Sequence, residues 1–260
     1  MKNEITRVIA NTAYQTYEKR LLKEVQEAPI PKHIAIIMDG NRRFAREFGL
    51  RPEEGHAKGK DKLEEVMEWC LELGIKILTV YAFSTENLKR EKEEVDYLMR
   101  MFEENFYKLG DDERIHKHGI KLTVLGQREL LPPKVQEAIR YAEGKTAGYS
   151  NYFYNIAIAY GSRQEIINAV KRIAQDVKEG KLSLDDISED TVSKYLYTAD
   201  FPDPDLMLRT SGEERVSNFL LWQMAYSELY FTDVYWPGFR HVDFLRAIRS
   251  YQLRQRRFGK

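Results

Sequence analysis

Residues 33–43 read HIAIIMDGNRR: five apolar residues, three of them isoleucine, break at once into Asp39, Gly40, Asn41, Arg42 and Arg43. A run that is apolar at every position has no wet face, so it reads as a strand covered on both sides, as in a parallel sheet between helical layers. Four more stretches repeat the pattern, IKILTVYAF (75–83), IKLTVLG (120–126), NYFYNIAIAY (151–160) and DLMLR (205–209), and SELYF (227–231) is a sixth candidate. The segments between them carry a helical period. Leu63, Val66, Met67, Cys70 and Leu71 share one face, as do Val95, Leu98, Met99, Phe102, Phe106 and Leu109. Further helices are expected after Pro132 and Pro133, and after Ser162 with Ile166, Ile167, Val170 and Ile173 on the buried side. Residues 1–28 predict an extra N-terminal helix, and 241–260 a basic C-terminal helix and tail. Strands alternating with helices long enough for crossovers predict an α/β fold with a mainly parallel six-stranded sheet flanked by helices. With no Pro/Gly/Ser linker and no repeat, residues 1–260 are expected to form a single domain.

Composition narrows the function. The 260 residues carry 41 Lys+Arg against 41 Asp+Glu, so no overall cationic field draws the chain to nucleic acid. One cysteine, Cys70, excludes an internal disulfide and any multi-cysteine metal site, and its place on an apolar helix face predicts a core residue. No apolar run exceeds five residues and no targeting segment is visible, so a cytoplasmic protein is expected.

The strand ends carry the chemistry, because ligands of parallel α/β sheets bind beyond the carboxyl ends of the strands. After the first strand, Gly40 permits close approach of an anion to the backbone, Asn41 can cap a helix, and two arginines follow in the first turn. For this stretch alone, caps and a solvated helix face explain the residues as well. The second strand, however, ends in Ser84, Thr85, Glu86 and Asn87, with Lys89 and Arg90 behind. The fifth ends in Arg209, Thr210, Ser211 and Gly212, with Arg215 and Ser217 behind. Three strand ends supplying hydroxyls and guanidiniums suit a polyanion. Neither G-x-x-x-x-G-K-[ST] nor a G-x-G-x-x-G after the first strand occurs, which argues against ATP, GTP and NAD. Asp39 and Glu228 adjoin apolar strands, where Mg²⁺ bridging a carboxylate to phosphate oxygens would offset the cost of the charge. The five histidines (33, 56, 116, 118, 241) form no zinc motif, and His116 and His118 are expected to be exposed.

At this point the motifs resemble a known family. HIAIIMDGNRRFA, Gly55-His56 placed with His56 seventeen residues after Asp39, YAFSTENLKR, NIAIAYGSRQEI and RTSGEERVSNFLLWQMAYSELYFTDVYWP resemble the cis-prenyltransferases, the undecaprenyl diphosphate synthase family, from about residue 32 to 260. The resemblance implies a homodimeric enzyme that condenses isopentenyl diphosphate repeatedly onto an allylic diphosphate with Mg²⁺, giving a long-chain lipid carrier precursor. By the same resemblance Asp39 is the essential aspartate, engaging Mg²⁺ and the allylic diphosphate. Gly40, Asn41, Arg42, Arg43, Phe44 and His56 belong to the first diphosphate site; Arg209, Arg215 and Ser217 hold isopentenyl diphosphate; Glu228 is a second carboxylate associated with Mg²⁺. Ser84, Asn87 and Arg90 match a closing loop, with Asn87 among the catalytic residues. Arg257 and Gly259 match an R-x-G motif that reaches the neighbouring subunit.

Two positions depart from the family pattern: Leu88 stands where many bacterial members have Trp, and Arg51 is the nearest candidate for an arginine expected where Pro52 stands. The form M-D-G-N-R-R resembles archaeal and eukaryotic members, which favours geranylgeranyl over farnesyl diphosphate as primer. Val95, Leu98, Met99, Phe102 and Phe106, together with Ala82, are core by spacing and a tunnel wall by resemblance. Release of the product implies transient peripheral contact with the membrane. Two other readings are weaker. A non-catalytic partner subunit would lack the D-G-N cradle, and a trans-type prenyltransferase would need D-D-x-x-D, which does not occur.

Overall fold

Each all-apolar run is a strand in the computed structural model, which describes residues 2–255. In chain order the elements are α1 (Lys2–Gln26), β1 (His33–Ile37), α2 (Asn41–Glu47), α3 (Pro52–Glu72), β2 (Ile77–Ser84), α4 (Lys92–Asp111), α5 (Glu113–His118) and β3 (Ile120–Leu125). They continue as α6 (Pro133–Thr146), β4 (Tyr152–Tyr160), α7 (Ser162–Lys178), α8 (Glu189–Tyr195), β5 (Leu206–Arg209), β6 (Glu228–Phe231) and α9 (His241–Gln255). The six strands form one sheet in the order β3-β4-β2-β1-β5-β6, and every neighbouring pair is parallel. The mainly parallel six-stranded sheet expected from the sequence is present, and it is parallel throughout.

Alternation along β1 shows why the run needed two apolar faces. Ile34 and Ile36 enter a large core with Val66, Leu98, Phe102 and α9, while Ala35 and Ile37 enter a smaller one with Met207, Phe219 and Leu220. The N-terminal helix is part of the large core: Leu21 and Val25 are buried, and Gln252 of α9 donates to the Val25 carbonyl at 2.8 Å. Chain order matters for the site. From β1 the chain proceeds to β2 on one side, whereas β5 and β6 are added on the other, so a crevice opens beyond the carboxyl ends of β1 and β5. Close helix packing flanks that crevice. A Cβ on Gly55 of α3 would lie 2.4 Å from the Asn41 carbonyl oxygen, and one on Gly59 would lie 2.4 Å from Asn41 Oδ1, so only glycine lets α3 seat against the start of α2.

Two helical details correct the sequence reading. On α7 the buried side is Ser162, Glu165, Ala169 and Ile173, while Ile167 and Val170 are 54% and 52% exposed and Ile166 is half-buried. The cause is Glu165, which turns inward to accept from Tyr160 Oη, from Gln223 Nε2 and, at 2.8 Å, from the Tyr197 amide; satisfying this buried carboxylate fixes the rotation of the helix. His116 is half-buried rather than exposed, with Nδ1 2.9 Å from Tyr149 Oη and Nε2 2.9 Å from the Gly110 carbonyl; His118 is half-buried too. Cys70 is buried as expected.

At the amino end of the sheet, His33 cross-links three strands. Nδ1 donates to the Pro202 carbonyl (2.7 Å), leaving Nε2 to accept from Thr79 Oγ1 (2.7 Å), which in turn accepts from Asn155 Nδ2 (3.2 Å). Burial pushes the imidazole pKa from 6.5 down to about 4. Between those values the unfolded chain binds more protons than the folded one, so this contribution is complete above the unfolded pKa and is lost as pH falls toward the folded one. Its full size is about 3 kcal/mol, at ~1.4 kcal/mol per pKa unit. Urea unfolding of the wild type and of His33→Gln should therefore differ in pH slope. The loss of stability between about pH 7 and pH 5 is expected to shrink by ~2 kcal/mol in the variant, and equal slopes would reject the assignment.

Candidate active site

The crevice beyond β1 and β5 is built around Asp39. Its backbone is clamped: the Asp39 amide donates to Thr210 Oγ1 (3.0 Å), Thr210 Oγ1 donates to the Asp39 carbonyl (2.7 Å), and the Trp236 amide donates to the same carbonyl (3.0 Å). Gly40 follows at φ +106°, where a side chain would be strained and its Cβ would strike Tyr235 at 2.9 Å. The turn aims the Asp39 carboxylate at two guanidiniums. Oδ2 lies 2.7 Å from Arg209 Nη2, and Oδ1 lies 3.2 Å from Arg43 Nη2. Burial pushes this carboxyl's pKa up, but Arg209 and Arg43 outweigh it and hold it below the ordinary value.

Each arginine is tied in its turn. Arg209, almost wholly buried, donates to Ser217 Oγ (2.7 Å) and to the Arg215 carbonyl, while its Nε is buried with no partner among the described residues. Arg43 donates to the Ser211 carbonyl (3.2 Å) and to Glu213 Oε1 (3.0 Å), and Glu213 also pairs with Arg215. Ser211, Ser217 and Asn218 hold φ values of +79°, +47° and +61°. Non-glycine residues rarely adopt such angles, and their gathering at one crevice is typical of a site whose geometry is enforced by its surroundings.

A second cationic group faces the first. Arg42, His56 and Arg90 converge on Glu94, near the start of α4, at 3.8, 3.0 and 3.0 Å. Burial lowers the His56 pKa, and Glu94 restores only part of it, so a neutral imidazole donates from Nε2 to the carboxylate. Ser84 and Asn87 form a reciprocal cap on the short helix Thr85–Lys89: the Asn87 amide donates to Ser84 Oγ (3.2 Å), and the Ser84 amide donates to Asn87 Oδ1 (3.0 Å). Leu88 packs against the large core.

Both groups open onto a cavity of about 820 Å³ that runs between α3, α4 and the sheet. Ala82, Leu98, Phe102 and Phe106 line it; Val95 and Met99, which belong with them to the large core, do not. Leu63, Met67 and Tyr154 add to the apolar lining.

Of the residues proposed from sequence, Asp39, Gly40, Asn41, Arg42, Arg43, His56, Ser84, Asn87, Arg90, Arg209, Arg215 and Ser217 all line this one cavity. Four residues stand elsewhere than the sequence reading placed them. Glu228 begins β6 opposite Leu206, at the amino end of the sheet, and pairs with Arg254 at 3.2 Å, so a single chain does not bring it to Asp39. Arg51 caps α3, pairs with Glu54 and is 78% exposed at its side chain, outside the cavity. Phe44 packs on Phe48, also outside it. Asn41 is not the cap of α2: Gly40 occupies that position, and Asn41 Oδ1 is buried with no partner among the described residues. Arg257 and Gly259 lie outside the described residues. The sequence reading missed Glu94 and Glu213; Glu94 stands four residues after Arg90, a spacing at which local ion pairs form, whereas no spacing rule singles out Glu213, two residues before Arg215.

Comparison with known proteins agrees with this geometry. A family profile described as "Putative undecaprenyl diphosphate synthase" matches residues 37–259. A Pyrococcus furiosus protein named tritrans,polycis-undecaprenyl-diphosphate synthase (geranylgeranyl-diphosphate specific) is 58% identical over 258 residues, 99% of this chain and 98% of that protein. A Methanopyrus kandleri protein of the same name is 56% identical over 257 residues, covering 99% and 95%. Among solved structures, lavandulyl diphosphate synthase from Lavandula x intermedia in complex with dimethylallyl diphosphate superposes with a TM-score of 0.84 at 40% identity, covering 89% of this chain and 99% of that one. A protein of Campylobacter jejuni described as a probable undecaprenyl diphosphate synthase gives 0.72 at 36% identity, covering 89% and 100%. Matches of this extent, on a chain whose motif residues meet at one crevice, place it in the undecaprenyl diphosphate synthase family, the cis-prenyltransferases.

Proposed function

We propose that this chain is a cis-type polyprenyl diphosphate synthase that adds isopentenyl diphosphate repeatedly to an allylic diphosphate primer. One observation carries the reading: guanidiniums gathered around Asp39 (Arg43, Arg209) and around Glu94 (Arg42, Arg90) meet in one cavity, whose wall continues over the apolar Leu63, Met67, Leu98, Phe102 and Phe106. Two diphosphate heads and one hydrocarbon tail need that combination. The primer is geranylgeranyl diphosphate, for which the Pyrococcus furiosus and Methanopyrus kandleri relatives are named as specific.

Arg42, Arg43 and His56, with the Gly40 and Asn41 backbone, take the allylic diphosphate; Arg209, Arg215 and Ser217 take isopentenyl diphosphate. The allylic C–O bond breaks with its electron pair going to the departing pyrophosphate, the isopentenyl double bond forms the new C–C bond, and loss of a proton leaves the new cis double bond. Cationic residues fixed in advance around the leaving oxygens stabilise charge that grows during this step, and holding the two heads side by side supplies much of the rate. Asn87, braced by Ser84, orients the reacting ends.

Mg²⁺ fits the donor set. Among the described residues no three His, Cys, Asp or Glu side chains form a metal cage, but Mg²⁺ is commonly bound by one or two carboxylates plus substrate phosphates. Asp39, ionised and facing the cavity, would be that carboxylate, and the ion would neutralise charge on the leaving diphosphate.

The apolar cavity would receive the growing chain as a tunnel. A second copy of the chain would cover the exposed Ile167 and Val170 of α7, one helical turn apart. A polyprenyl product would pass to the bilayer by transient contact; no helix among the described residues is long and apolar enough to cross a membrane.

Purified protein alone, given labelled isopentenyl diphosphate and either primer, should incorporate label, preferring geranylgeranyl diphosphate, into products that chromatography sizes as long chains. Activity that appears only after addition of a second subunit would establish the partner-subunit reading instead. Asp39→Ala should keep its fold by circular dichroism and lower kcat at least ~100-fold, the scale of a lost electrostatic stabiliser; near-normal turnover rejects the role. Arg215→Ala, at a side chain 62% exposed, should raise the KM for isopentenyl diphosphate without lowering Tm. In sedimentation, Ile167→Glu should convert dimers to monomers, and an unchanged sedimentation coefficient removes α7 from the interface.

A further inference from the structure

Glu94 belongs to no part of the reaction just described, and it is only 9% exposed. A carboxylate taken out of water at that depth loses much of its hydration and is retained only where partners replace it. Its partners come from three separate elements: Arg42 from α2, His56 from α3 and Arg90 from the loop before α4. Oε1 receives both His56 Nε2 and Arg90 Nη1 at 3.0 Å, while Oε2 faces Arg42 Nη1 at 3.8 Å. All three partners line the cavity and Glu94 does not, so the carboxylate sits behind them.

Nothing about packing requires a charge here. A buried ion pair is seldom a better stabiliser than well-packed apolar side chains of the same volume. What Glu94 does supply is orientation. A guanidinium has five donors on a rigid fork, and holding one of them from behind turns the others toward the cavity. The same contact selects the His56 tautomer, with the proton on Nε2, and so settles which ring nitrogen is left for other partners. Burial disfavours the ionised carboxylate, but the His56 hydrogen bond and the charges of Arg90 and Arg42 outweigh it, so Glu94 stays ionised at neutral pH. Its place in the first turn of α4 adds the favourable end of the helix dipole.

We propose that Glu94 is a positioning residue for the allylic-diphosphate half of the pocket, a single carboxylate that gathers Arg42, His56 and Arg90 and presents their free donors to the diphosphate. The inference rests on the diphosphate reading of the cavity. It also explains how the closing loop is engaged: Arg90 is the only one of the three partners that comes from the loop, so Glu94 ties that loop to the two helices that bear the first diphosphate site.

The test uses the full chain and inorganic pyrophosphate, the shared head of both substrates, with binding followed by calorimetry. Glu94→Gln keeps the shape and removes the charge. It should weaken pyrophosphate binding about tenfold or more, the scale of one charge-assisted contact. In steady-state kinetics it should raise the KM for the allylic diphosphate by a similar factor and leave the KM for isopentenyl diphosphate within about twofold. Glu94→Asp keeps the charge on a shorter stem and should fall between, which keeps the test decisive should the Gln variant fold poorly. A merely structural role would lower Tm and shift both KM values together, and that result overturns the proposal. Equal pyrophosphate affinity in wild type and both variants overturns it while leaving the diphosphate reading intact. Absence of pyrophosphate binding in the wild type removes that reading and this inference with it.

Discussion

The 2.7 Å pair between Asp39 and Arg209 joins the carboxyl ends of two strands, and most of the site follows from what must be true for those two residues to meet. They are 170 positions apart in the chain. They meet because β5 returns to lie beside β1 after β2, β3 and β4 have been laid down on the other side, and a parallel sheet aligns Ile37 with Arg209 in register. Thr210, one residue later, locks the register by exchanging hydrogen bonds with the Asp39 backbone in both directions. An unpaired Arg209 would be a costly buried cation, and an unpaired Asp39 would retain little of its depressed pKa. The pair therefore keeps both groups ionised at the one place where the topology leaves the sheet open.

Net charge conceals this arrangement. Forty-one cationic residues balance forty-one acidic ones over the chain, yet at the crevice three carboxylates serve at least five guanidiniums. Asp39 bridges Arg43 and Arg209, Glu213 bridges Arg43 and Arg215, and Glu94 bridges Arg42 and Arg90. Each acid is thus shared, which leaves a local excess of positive charge held in fixed directions. Such a field costs little reorganisation when an anion arrives, because the forks are already aimed.

What was legible in the sequence follows the range of the forces involved. Strands could be read because burial on both faces leaves a run with no polar position, as in residues 34–38, and strand ends because polarity changes abruptly there. Composition beside a strand does not say which end of it faces the ligand. Glu228 adjoins an apolar run as Asp39 does, but it opens its strand where Asp39 follows one, so the parallel sheet sends the two to opposite ends. The rotation of α7 was likewise hidden, since its apolar period pointed to Ile167 and Val170 while a buried hydrogen-bond set around Glu165 turned the helix. Glu94 could be paired with Arg90 by spacing, but its reach to Arg42 and His56 depends on α2 and α3 crossing it in space.

Helix α4 explains why the charged and apolar halves of the cavity stay in step. Its first turn carries Glu94 among the guanidiniums, and the following turns carry Leu98, Phe102 and Phe106 along the cavity wall. At 1.5 Å of rise per residue, the twelve positions from Glu94 to Phe106 span about 18 Å of one rigid element. On the proposed function, a head group bound at one end and a hydrocarbon laid along the other would be referred to the same helix. Gly55 and Gly59 extend the coupling by letting α3, which bears His56 and the opposite wall residues Leu63 and Met67, press against the Asn41 end of α2. A site that must reset its head groups after every added unit while its tail lengthens gains most from such a fixed frame, because each cycle begins from the same geometry.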